Sequence, residues 1–193
     1  SDGYFIEKLY NDSKLKKTSK LFEVDYLPKE DIVYWLGNLE KESKIKDFVL
    51  SELQIEYIWE HFGGSIWEIS AVLGDFLRVC RDGQVPDHRM QEIVERYMVQ
   101  SRSYFEEYVG VKQHRKTLLT EINKKITKGY FKEAELPDLI TREIFTEDGL
   151  LDELNFLVRQ NYLYYNPTRA EYKLQGRSME IGLMRYVQEV QPQ

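Results

Sequence analysis

The sequence predicts a mainly α fold, a helical bundle followed by three further helices and a small β-hairpin. Three observations lead there. Apolar residues recur at three- and four-residue spacing through most of the chain from Pro28 to Val190. Strand-like alternation is confined to Leu21–Leu27 and Tyr162–Gln175. Gly63-Gly64, Gly110 and Gly129 stand where helical patterns stop.

Taken in order, Tyr4 to Tyr10 is a short helical pattern, and Lys14, Lys16, Lys17 and Lys20 make the next stretch basic. Leu21 to Leu27 alternates apolar and acidic residues like a strand, with no partner strand nearby. Pro28 then suits a first helical turn, and Glu30 and Asp31 suit the positive end of its dipole. Ile32, Val33, Trp35, Leu36 and Leu39 supply its apolar face. Phe48 to Leu53 reads as a short amphipathic piece, and Gln54 to Phe62 as a firmer helix. Ile66 to Cys80 is a strongly apolar helix. Arg81 to Asp87 forms a loop, and one long helix runs from His88 to Tyr108 until Gly110.

A second module begins near Val111. Leu118, Leu119, Ile122 and Ile126 mark a helix stopped by Gly129, and Leu139 to Phe145 a shorter one. Leu150, Leu151, Leu154, Leu157 and Val158 mark a third helix, ending near Asn161. Tyr162 to Gln175 reads as strand, turn and strand around Asn166-Pro167. A last helix spans Arg177 to Val190. Three helices followed by a hairpin is a winged-helix order.

Composition bounds the function. The 193 residues are 42% hydrophobic, enough for a packed core, with 14 Tyr, 9 Phe and 3 Trp. No apolar run approaches the ~20 residues of a membrane span, and no signal-peptide pattern opens the chain. A soluble, cytoplasmic protein with no membrane partner is the expectation. Cys80 is alone, so no internal disulfide can form. The net charge of −6 argues against broad coating of nucleic acid. The acidic excess lies before Gly110, which also favours two modules.

Catalytic motifs are missing from the sequence. It holds no G-x-x-x-x-G-K-[ST], G-x-G-x-x-G or G-x-S-x-G. His61, His88 and His114 lie far apart without metal-ligand spacing, so no metal site is expected. Cys80, closing an apolar helix, reads as a core residue rather than a nucleophile. No enzyme activity is expected of this chain alone.

The run His61-Phe62-Gly63-Gly64-Ser65-Ile66-Trp67-Glu68 is the most informative segment. Two glycines can take the backbone shapes that end a helix. Ser65 with Glu68 then forms a capping-box signal for the next one. Such a junction is either a tight turn between packed helices or a helix start presenting amides to an anion or nucleotide. In the second module, the third helix carries Asp148, Asp152 and Glu153, with Asn155, Arg159 and Gln160 as its only base readers. The hairpin offers Arg169 and Lys173, with Arg177 just beyond. Acidic residues facing phosphates repel them, which favours protein docking over DNA binding.

Several segments together resemble the C-terminal part of an archaeal-type AAA+/STAND ATPase. Ser1 to Tyr10 resembles the helix after that family's last core strand. Leu21 to Leu27 and Pro28 to Leu36 look like the following strand and first lid helix. Trp59-Glu60-His61-Phe62-Gly63-Gly64-Ser65-Ile66-Trp67 resembles its lid motif, although Ser65 stands where the family often has proline. The resemblance implies a core remnant over 1–27, a helical lid-like domain over 28–110 and a winged-helix domain over 111–193. It implies a regulatory part of a STAND-type ATPase, with ATP or ADP bound in the intact parent and no cofactor for this chain alone. Gly63, Gly64 and Ser65 would then approach the nucleotide base together with a core absent here. Arg159, Arg169, Lys173 and Arg177 would contact a protein partner, or DNA. The alternative is a winged-helix DNA-binding transcriptional regulator with a helical dimerisation domain.

Overall fold

The computed structural model describes residues 26–110 and 112–190. Those residues are 67% helical, with nine α-helices and one small antiparallel two-stranded sheet. The expected helix at 4–10, the basic stretch at 14–20 and most of the strand at 21–27 lie outside the described residues. No helix among the described residues is long and apolar enough to cross a membrane. The chain divides into two compact units. One holds residues 26–103 together with Gly176–Gly182, and the other residues 104–175 together with those from Leu183 onward.

The first unit begins with α1 (Lys29–Gly37), entered from Pro28. Asn38 ends it by donating its side-chain amide to the Tyr34 carbonyl at 2.7 Å. A short α2 (Leu39–Ser43) follows. Phe48 to Leu50 is extended rather than helical: Phe48 is buried, and the Val49 N–H donates to Gly83. Helix α3 (Glu52–Phe62) opens with a complete capping box. Ser51 Oγ accepts from the Gln54 N–H, and Gln54 Oε1 accepts from the Ser51 N–H. Helix α4 (Ile66–Phe76) ends four residues before Cys80, in a turn where the Val79 and Cys80 N–H groups both return to Phe76. Helix α5 (Asp87–Val109) sends Met90, Ile93, Val94 and Met98 into this unit's core. There they meet Ile32, Leu36, Ile58, Phe62, Ile69 and Phe76. The three- and four-residue spacing read from the sequence is the spacing of these buried faces.

The second unit takes Phe105, Tyr108 and Val109 from the end of α5, which stops at Gly110 with φ of 49°. Helix α6 (Gln113–Lys125) continues into a 3-10 turn ended by Gly129. Phe131 follows, fully buried. It forms two 2.8 Å backbone hydrogen bonds with Tyr172, donating one and accepting the other. Helix α7 (Pro137–Thr141) is shorter than the sequence suggests. Its chain reverses where Glu143 takes φ of 56° and the Ile144 and Phe145 amides both return to Leu139. Helix α8 (Glu147–Arg159) is capped by Thr146 Oγ1, which accepts from the Gly149 N–H at 3.1 Å. Strands β1 (Leu163–Asn166) and β2 (Glu171–Leu174) pair from Leu163 with Leu174 to Asn166 with Glu171. Their loop is held by Asn166 Oδ1, which accepts the amides of Thr168 and Arg169. Helix α9 (Arg177–Val190) starts in the first unit and supplies Leu183, Tyr186 and Val187 to the second.

Candidate functional site

The glycine turn sits between α3 and α4 in the first unit. Gly63 takes φ of 54° and closes α3, its N–H donating to Trp59 at 2.7 Å. Gly64 is buried. The Leu27 N–H donates to the Gly64 carbonyl at 3.1 Å. A side chain on Gly64 would begin 2.7 Å from the Leu27 nitrogen and 2.9 Å from its carbonyl carbon, too close for either backbone. Glycine is therefore required here because another stretch of the same chain crosses it. The space in front of Gly63 is likewise filled, by the Arg177 Cβ at 3.3 Å.

Ser65 caps α4, its Oγ accepting from the Glu68 N–H. The second arm of the expected capping box does not form. The Ser65 N–H donates to Phe62, and the Glu68 carboxylate is taken by the hydroxyl of Ser178, at the start of α9. Ser178 is buried, and Gly176 brings its backbone beside Glu68 Oε2 and the Tyr26 hydroxyl. Burial raises the Glu68 carboxyl above the ordinary carboxylate range, while the hydroxyls of Ser178 and Ser65 partly offset this. Arg177 anchors the same segment, its Nε donating to the Glu60 carbonyl at 3.3 Å and its Nη1 to Glu180 at 2.7 Å.

Gly63, Gly64, Ser65 and Arg177 are thus brought into one cluster. Arg159, Arg169 and Lys173 belong to the second unit. Arg159 is exposed in the last turn of α8, and Arg169 is exposed in the hairpin loop. The Lys173 ammonium lies over the Tyr164 ring, 5.1 Å from its centre. Helix α8 turns Glu147, Asp148, Leu151 and Asp152 outward.

Two groupings were not legible in the sequence. Glu68 and Ser178 are 110 positions apart, and no local pattern marks them. In the second unit, Arg115 donates through Nε and Nη2 to Glu153 Oε1 at 3.1 and 3.0 Å. It also donates through Nη1 to the Tyr108 carbonyl at 2.9 Å. The Tyr108 hydroxyl completes the set by donating to Glu153 Oε2 at 2.8 Å. The Arg115 guanidinium lies over the Tyr108 ring at 4.6 Å and the Phe156 ring at 5.1 Å. Burial above all, then the bond to Glu153 and its charge, push the Tyr108 hydroxyl well above its usual range. This is a sheltered clamp joining the end of α5, the start of α6 and the middle of α8.

Among the described residues no group of three or more His, Cys, Asp or Glu could hold a metal ion. Comparison with family models, with curated proteins and with solved structures finds no match.

Proposed function

We propose that this chain is the regulatory, C-terminal portion of a STAND-type ATPase, with a helical lid unit and a winged-helix docking or switch unit. The pairing of Leu27 with Gly64 carries the reading. Leu27 ends the segment that resembles the strand after the ATPase core, and it is stitched to the glycine turn of the segment that resembles the lid. Motion in the strand segment would therefore be felt first at Gly64.

The second unit supports the winged-helix assignment. Its order is helix, a single paired residue at Phe131, two helices, then a hairpin, and the Phe131–Tyr172 pairing extends that hairpin by a third short edge. The acidic outer face of α8 favours a protein partner over DNA, because a duplex would bring phosphates against Glu147, Asp148 and Asp152.

In this reading ATP or ADP belongs to the parent's core. The turn residues present do not fit an adenine base packed on Gly64, since Leu27 fills the space that glycine frees. The coding sequence upstream of Ser1 is the test. A G-x-x-x-x-G-K-[ST] loop in the same frame is expected, and a start codon directly before Ser1 overturns the reading. Calorimetry and a phosphate-release assay on the 193-residue chain should show neither binding nor hydrolysis at millimolar ATP, and either one also overturns it.

A further inference from the structure

We propose that the groove bounded by α7, the start of α8 and the hairpin docks a basic, amphipathic helical segment of a partner protein. The inference rests on reading the second unit as a protein-docking module, and it names the site and the partner's chemistry. The groove has a volume of about 590 Å³, within the usual span of roughly 300–1,000 Å³ for sites that swallow apolar groups. Its floor is buried Leu136, Leu150 and Tyr172, and its walls are Pro137, Ile140 and Tyr165. Such a lining accepts aliphatic or aromatic side chains and offers them few hydrogen bonds.

Charge selects the partner. Glu133 and Glu147 stand at the rim. Among the described residues that line the groove the one cation is Lys132, which pairs with Glu171 at 3.6 Å. From the rim outward, Glu147, Asp148, Leu151 and Asp152 stand at positions i, i+1, i+4 and i+5 of α8, which places them on one face. Leu151 is 40% exposed among those carboxylates. An apolar groove continued by an acidic stripe with a single apolar contact matches a helix whose apolar residues recur at i, i+3, i+4 and i+7 between Lys and Arg. The positive end of α8 adds no pull on anions, because Thr146 caps it and Glu147 and Asp148 sit in its first turn.

The probe is a labelled 14-residue peptide with Leu and Phe at i, i+3, i+4 and i+7 and Lys elsewhere, titrated into the 193-residue chain and followed by fluorescence anisotropy. Binding should weaken between about 50 and 200 mM salt, because the ionic part is screened. Glu133→Lys with Glu147→Lys should weaken it at least tenfold, and Ile140→Ser should weaken it at both salt concentrations. Circular dichroism confirms that each variant is folded. Hydrogen exchange should show protection over 132–150 and 165–172. Equal binding of the same peptide with Glu in place of Lys, or no effect of the double charge reversal, overturns the proposal. Protection elsewhere on the second unit overturns the groove while sparing the docking reading. Salt-dependent binding of a duplex DNA with none of the peptide overturns both.

Discussion

The Leu27 N–H donates to the Gly64 carbonyl at 3.1 Å, and the Leu27 backbone occupies the position where any side chain on Gly64 would begin. A helix turn and a distant stretch of chain are thereby locked at van der Waals limits. The turn's composition follows from that crossing.

Gly64→Ala should therefore destabilise the protein by about 1–3 kcal/mol, the usual cost of overpacking a filled site. Gly74→Ala is the matched control. Gly74 lies inside α4 with nothing within 4 Å of an added Cβ, so alanine there should stabilise by about 0.5–1 kcal/mol. Urea denaturation of both variants measures the contrast. Equal effects would remove the steric account.

Glu68 makes stability depend on pH. Its carboxyl is raised above the ordinary 4.5 by burial, so the folded state holds a proton that the unfolded state releases. The contribution is fully present below that ordinary value and is lost as pH rises through the folded value. Glu68→Gln keeps a partner for Ser178 without the charge. Midpoints measured from pH 4 to pH 8 should fall less steeply in the variant than in the parent, and parallel curves would refute the assignment.

The Tyr108–Glu153–Arg115 clamp should behave as a unit. The side chains of Arg115 and Glu153 are each only 16% exposed, so removing one partner strands the other in a poorly hydrated place. Glu153→Gln and Tyr108→Phe should each cost about 1–3 kcal/mol, with the double variant costing clearly less than their sum. Because the Tyr108 hydroxyl is raised, the folded state resists its ionisation, and this contribution is lost as pH rises beyond the ordinary 10. Tyr108→Phe should flatten the alkaline limb of the stability curve.

Phe131→Ala tests the third edge of the hairpin. Phe131 is fully buried and stacks on Tyr172 with ring centres 5.5 Å apart. Its loss should cost about 3–5 kcal/mol. Hydrogen exchange should then report faster opening of the Tyr172 amide, and an unchanged rate there would show that Phe131 packs without ordering the strand.

Helix type was the most legible property of this sequence, because the faces of α3, α4, α5 and α8 repeat at helical spacing over several turns. Boundaries were less so. Ser51-x-x-Gln54 is a capping signal in plain view, but the apolar Phe48, Val49, Leu50 and Leu53 around it read as helix. The paired edge at Phe131 is one residue long and leaves no period to detect. At the glycine turn, sequence could say that a turn occurs but not what fills it. Glu68 looked like the partner of Ser65 because capping is local, and a buried serine 110 positions later outcompeted that arm.

The discontinuity of the first unit bears on how the chain matures during synthesis. Residues 26–103 leave the ribosome well before Gly176–Gly182, which carry the hydroxyl for Glu68, the guanidinium for Glu60 and the apolar Ile181. At about 5–20 residues per second, the intervening stretch takes several seconds to appear. Throughout that interval the Glu68 carboxylate and the Glu60 carbonyl must wait in water, and the bundle completes only when the last helix arrives.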